Sequence, residues 1–275
     1  MNKSSVLVAG IVLLAIGTAG YLWRQQHLAA PEAPPAPAVA AAPTVVPPAA
    51  SSASEPGIQY PIEAPVDNPQ AATPLDVETA LADLFGPKTV LSMFQTQDFA
   101  RRFVATIDNL GRPHAPVAVW PVNPTAGRLA VEKKGDGEVI GADNGLRYTP
   151  FVLLVETVDL PKAVATYARL YPLFQQAYED IGFPKRYFND RLVAVIDQLL
   201  ATPDVNEPLK IRLPQINGPL QPERPWVLYE FEDPALQSLS AGQKILLRMG
   251  PVNERRMKVK LMELRRLVTA GSPPR

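Results

Sequence analysis

The chain has 275 residues, with 27 Lys and Arg against 27 Asp and Glu, two histidines, no cysteine and 31 prolines, about twice the usual proline share. Without cysteine there is no disulfide framework, no thiolate nucleophile and no cysteine metal cage. The balanced charge argues against a nucleic-acid partner, for which a strongly basic domain is expected, and nothing points to a cofactor.

The first informative stretch is VLVAGIVLLAIGTAGYLW, Val6 to Trp23, which carries no charge. At 1.5 Å per residue it makes roughly 27 Å of helix, close to the thickness of a hydrocarbon core. Tyr21 and Trp23 close it with interfacial aromatics. The competing reading is a cleaved signal peptide, but the run is long for that and no convincing A-x-A site follows, so residues 1–28 are read as an anchor. Lys3 against Arg24 leaves the charge signal for orientation nearly balanced. From Ala29 to Pro74 there is no Lys or Arg, whereas Glu32, Glu55, Glu63 and Asp67 are acidic. A stretch that avoids positive charge fits the translocated side. The expectation is a single-pass protein of the bacterial inner membrane, amino terminus cytoplasmic and folded domain periplasmic.

Residues 29–74, with PEAPPAPAVAAAPTVVPP, are low-complexity Pro/Ala sequence that cannot bury enough apolar surface to offset ordering, and read as a disordered linker. Residues 75–270 read as one folded domain and 271–275 as a disordered tail.

In LDVETALADLFG, after Thr73-Pro74, Val77, Leu81, Leu84 and Phe85 recur at helical steps, and Gly86-Pro87 ends the pattern. A second turn or helix covers Thr89 to Phe94. Asp98 is the predicted N-cap of a third helix with Phe99, Phe103, Ile107 and Leu110 on one stripe, ended by Gly111. In the Pro/Gly-rich stretch from Arg112 to Arg147, PVAVWPV suggests a short edge strand and KKGDGE a turn. Helical pattern returns at Tyr148 and runs through FVLLVETV. Asp159 caps a long helix with Pro161 in its first turn and Tyr167, Leu170, Tyr171, Phe174, Tyr178 and Ile181 in register; Pro172 predicts a kink or break. A further helix begins at Asn189 with Leu192, Ile196 and Leu199 inward and fades by Pro203. LKIRL and WVLYEF alternate as two strands of a small hairpin. Ser240 and Gln243 form a capping box ahead of KILLRM, Gly250-Pro251 stops that helix, and Asn253 is read as the cap of the last one, with Met257, Leu261, Leu264 and Val268 apolar. The fold class is mainly α: a helical domain with a small β-hairpin, preceded by one transmembrane helix and a disordered Pro/Ala linker.

Catalytic signals are sparse. Of the two histidines only His114, in a Pro-rich loop, belongs to the domain, and no G-x-S-x-G accompanies it. Glu179-Asp180 and Glu230-Phe231-Glu232-Asp233 supply acids for a carboxylate mechanism, although Asp233 before Pro234 reads locally as an N-cap. GDGEVIGADNG lacks a phosphate-loop pattern. Between Lys244 and Val268 eight basic residues face only Glu254 and Glu263. Arg255, Arg256, Lys258 and Arg265 form a candidate basic contact face for anionic lipid, an acidic partner or cell-wall polymer, with a solvated helix face as the alternative. Tyr171, Gln175, Tyr178, Glu179, Arg186, Tyr187, Asn189 and Arg191 form a candidate aromatic-polar groove for a peptide or glycan, with helical core as the alternative.

YPLFQQAYEDIGFPKRYFNDRL, then ATP from Ala201, and LSAGQKILLRMGPVNERRMK resemble the bacterial domain-of-unknown-function family 3014. The resemblance implies a membrane-anchored envelope protein with a Pro-rich linker and transfers no catalytic residue. The function expected is a non-enzymatic binding or scaffolding module for an envelope protein or cell-wall component, with the membrane engaged through the N-terminal helix. The alternative is a carboxylate-dependent hydrolase acting on cell-wall glycan.

Overall fold

A computed structural model describes residues 57–62, 73–215 and 223–270. The predicted anchor (6–23), most of the predicted linker and the tail lie outside the described residues. None of the described helices is long and apolar enough to cross a membrane.

The described chain is mainly helical with a small antiparallel sheet. Helix α1 (Pro74–Phe85) opens on a capping box in which Thr73 and Asp76 satisfy each other's backbone donors. After Gly86, which holds φ 81°, a conformation that favours glycine, α2 runs Pro87–Met93. Helix α3 (Phe99–Leu110) follows Asp98, but Asp98 does not cap it: at φ 53° it is left-handed, and a capping side chain needs an extended backbone to reach the first-turn N–H groups. PVAVWPV is not a strand. Val117–Val119 form a 3-10 turn between prolines that cannot donate to a ladder, and only Val122 bridges, to Phe94.

Strands β1 (Val131–Lys134) and β2 (Gly137–Ile140) flank the predicted KKGDGE turn. Helix α4 (Thr149–Thr157) leads to α5 (Leu160–Asp180), capped by Asp159 and continuous through Pro172 despite the expected break. Helix α6 spans Phe188–Leu200. Strands β3 (Lys210–Arg212) and β4 (Glu230–Phe231) follow; then α7 (Pro234–Gln237), capped by Asp233, α8 (Ala241–Arg248), with the predicted Ser240–Gln243 capping box, and α9 (Pro251–Val268). Asn253 lies inside α9 rather than at its cap; its amide donates to the carbonyls of Gly145 (2.8 Å) and Met249 (3.2 Å).

The expected hairpin is two strands of a four-stranded antiparallel sheet ordered β1-β2-β3-β4. β3 has a partner on each edge, Glu138 opposite Ile211 and Ile211 opposite Phe231, so the two hairpin signals fuse. WVLYEF contributes only Glu230 and Phe231, because Pro225 starts a 3-10 turn through Val227.

The largest core is aromatic. Phe103 meets Phe174 at 5.1 Å between ring centres, and Tyr178 stacks on Phe183 at 4.6 Å, within the range where aromatic pairs gain beyond burial. Val104, Leu170, Phe174 and Phe188 belong to this cluster between α3, α5 and the start of α6, and Val77, Ala80, Leu81 and Val90 join it from α1 and α2. Val152, Val195, Leu199, Leu246 and Met249 join α4, α6 and α8, and Ile211, Phe231 and Leu247 fasten the sheet. At Gly242 of α8 an added methyl would land on the Leu199 side chain and 3.1 Å from the Leu110 carbonyl oxygen. Gly242→Ala is therefore expected to lower stability by about 1–3 kcal/mol, the usual cost of overpacking, read as a lower urea midpoint with unchanged slope.

Candidate functional site

The aromatic-polar segment is folded around a buried amide. The side chain of Asn189 is fully buried; its Nδ2 donates to the carbonyls of Tyr60 (2.9 Å) and Val268 (3.1 Å), and its Oδ1 accepts from the Tyr167 hydroxyl (3.2 Å). Its backbone N–H donates to the Tyr171 hydroxyl (3.1 Å), which donates to Gln175 Oε1 (3.1 Å). Gln175 also accepts from the Phe188 N–H and donates to Glu179 Oε1 and the Arg186 carbonyl, holding the turn between α5 and α6. Burial pushes the Tyr167 and Tyr171 hydroxyls well above their ordinary pKa, so both stay protonated as donors. Arg191 donates to the buried Asp108, to Oδ1 at 2.9 Å and to its carbonyl at 2.8 Å. Tyr171, Tyr178 and Asn189 thus lie in the interior, Gln175, Glu179, Tyr187 and Arg191 at its edge, and Arg186 is exposed.

What lies against that edge is the chain's own upstream segment. The N–H groups of Gln59 and Tyr60 donate to the Asp190 carboxylate (2.8 Å for Tyr60), and the Ile62 N–H donates to the Tyr187 hydroxyl at 2.7 Å. Ile62 packs against the aromatic core and Tyr60 against the cluster formed by Leu192, Val193, Ile196 and Val268. Residues 57–62, inside the predicted linker, are therefore held by the domain. Asp190 belongs to the polar set of the candidate groove, but its docking of the upstream segment was not expected from sequence. The available signal was compositional: GIQYPI places the large side chains Ile58, Tyr60 and Ile62 at alternate positions within Pro/Ala-rich sequence.

The basic residues of α9 are mostly paired. Arg256 pairs with Glu156, Arg265 with Asp197, and Lys258 with both Asp204 (2.9 Å) and the buried Glu254 (2.8 Å); Arg255 is exposed. Lys258 thus meets the buried Glu254 carboxylate as an ion pair within one turn of α9.

Two clefts stand out. One of about 770 Å³ has a mixed lining, with Glu132, Asn144, Glu207, Arg248, Asn253 and Glu254 beside Ile140, Leu209 and Leu247, and carries no aromatic side chain among the described residues. Glu132 Oε1 accepts from the Ala142 N–H at 3.0 Å. The acids singled out from sequence, Glu179, Asp180, Glu230, Glu232 and Asp233, line neither cleft. The second cleft, of about 450 Å³, is apolar: Ile107, Val195, Leu199, Ile245, Leu246 and Leu261 form its walls, and the Trp120–Ala126 loop closes one side. Among the described residues, Arg147 is the only charged side chain on this lining. It donates to the carbonyls of Ala126 (3.1 Å) and Gly127 (3.0 Å) and to Asn144 Oδ1 (2.9 Å). Trp120 lines the same space, while its Nε1–H is buried away from it and has no partner among the described residues, a deficit of about 1–3 kcal/mol for such a group. Among the described residues there is no group of three or more metal-ligating side chains.

A family described as protein of unknown function (DUF3014) matches residues 99–265. The chain belongs to this family. The match runs from α3 into α9 and takes in both segments that carry the sequence resemblance, all four strands and nearly all of the apolar cleft. The docked 57–62 segment, α1 and α2 lie before it. No curated protein and no solved structure matches the chain.

Asp190→Ala removes the acceptor for two backbone donors and is expected to cost about 1–3 kcal/mol and to speed proteolytic cleavage between residues 57 and 62. The Arg256 guanidinium holds Glu156 below its ordinary value of 4.5, so this pair's stabilisation is full above that pH and is lost as pH falls through the lowered value. Glu156→Gln should therefore lower the melting temperature near neutrality and flatten its fall on acidification.

Proposed function

We propose that the protein is a non-enzymatic binding module of the bacterial envelope, anchored in the inner membrane through residues 6–23 and displaying its domain in the periplasm. The apolar cleft is the observation that carries this reading. Its volume of about 450 Å³ is that of a small-ligand site, where shape and apolar lining supply affinity and a few polar groups set orientation. Its lining holds neither a carboxylate nor a histidine among the described residues, so it offers grip without an acid-base pair. The occupant is an apolar group presented by an envelope component, and a tether that confines the domain near the membrane raises the local concentration at which the two meet.

The test is a photo-crosslinking side chain placed at Ala126, an exposed residue on the rim, in the full chain expressed in intact cells, with Lys133 as the control position. A discrete adduct formed at 126 and not at 133 supports the reading and identifies the occupant by mass. Identical background at both positions, or release of reducing sugar ends from cell-wall glycan by the purified protein, overturns it.

A further inference from the structure

We infer that the apolar cleft takes one unesterified long-chain fatty acid, its hydrocarbon along α6 and α8 and its carboxylate toward Arg147. The inference rests on the binding-module reading and names the ligand of the same site.

Volume decides how much chain fits. A cavity of about 150 Å³ lined by Leu, Ile and Phe holds a six-carbon ring, so by proportion the ~450 Å³ here has room for on the order of eighteen carbons, one acyl chain and not two. The walls suit such a chain. Val195, Leu199 and Leu246 are buried, while Ile107, Ile245 and Leu261 are half-buried and face the same space. A flexible hydrocarbon gains from this lining at every methylene and requires no hydrogen bond along its length.

The polar chemistry decides the head group. Arg147 brings the one charge on the described lining. Three hydrogen bonds fix the Arg147 guanidinium, all to neutral oxygens, and of its five N–H groups two remain. None of those three acceptors is a carboxylate, and no described carboxylate lines the cleft. A positive charge with two unused N–H groups beside an apolar space matches an anionic oxygen head on one apolar chain. It does not match a cationic amphiphile.

The measurement uses the full chain in lipid nanodiscs with Trp23→Phe and Trp226→Phe, which leaves Trp120 as the reporter. The probe is 9,10-dibromostearic acid, whose bromines quench indole emission at short range. Saturable quenching with one-to-one stoichiometry is expected, at least tenfold weaker for the methyl ester of the same acid and for Ile245→Phe, which fills the cleft. Equal quenching by acid and ester removes Arg147 from recognition and overturns the fatty-acid assignment. So does equally tight binding of a brominated lysophospholipid. Absence of quenching by any of the three, with an adduct still formed at position 126, overturns the inference and leaves the binding-module reading standing. Absence of both removes the two together.

Discussion

The domain is held together at one buried amide, Asn189, which stands in the first turn of α6 with every polar atom of its side chain used. Its partners come from places far apart in sequence: α5 through Tyr167, the last turn of α9 through Val268, and the upstream segment through Tyr60. No apolar residue of that size reproduces this, because the Val268 carbonyl belongs to a helix end whose acceptors lack intrahelical donors. A carboxylate of the same shape would set an acceptor against two acceptors. The aromatic rings around Asn189 exclude water, and exclusion of water is what makes the unpaired alternative costly.

The remaining interior polar groups follow the same logic on a smaller scale. Asp108 on α3 is buried and is met by Arg191 from α6 and by Arg112, the residue after Gly111, so a charge inside the domain is answered from two sides. The Arg112 carbonyl in turn accepts from the Ala241 N–H at the start of α8, at 2.7 Å. Around these fixed points the helices pack closely, to the extent that Gly242 admits no side chain against Leu199. The apolar cleft adjoins this contact, with Leu199 and Gly242 both on its lining, where the Trp120–Ala126 loop stands in place of a helix. A Pro-rich loop cannot interdigitate as a helix does, and the space it leaves is lined by residues that would otherwise be core.

Much of the helical pattern is legible in the sequence, since three- and four-residue apolar spacing, the Ser240–Gln243 box and the Asp159 and Asp233 caps all report local physics. The failures have physical reasons. Asp98 has the right side chain for a cap in the wrong backbone conformation. LKIRL reads as half of a hairpin because alternation reports a strand and not its number of neighbours. The Tyr171–Arg191 segment is dense in groups that suit either a core or a groove, and periodicity does not separate the two. Depth does: Tyr171, Tyr178 and Asn189 lie inside and Tyr187 and Asp190 at the edge, with residues 57–62 lying across. The cleft has almost no sequence signature, because its walls come from helices far apart in the chain and from a loop whose one large aromatic is Trp120.

The docked segment and the cleft share a wall. Tyr60 packs against the cluster of Leu192, Val193, Ile196 and Val268, two of whose members, Leu192 and Ile196 of α6, line the apolar cleft. In a close-packed interior such residues cannot shift toward one neighbour without losing contact with the other. Placement of residues 57–62 by Asp190 and Tyr187 is thus one of the constraints that set the cleft's width. The same segment is where the upstream chain joins the domain, so any pull arriving along that chain meets α6 first, through the side chains of Tyr187, Asn189 and Asp190 and the ring of Tyr60, before it reaches the rest of the core.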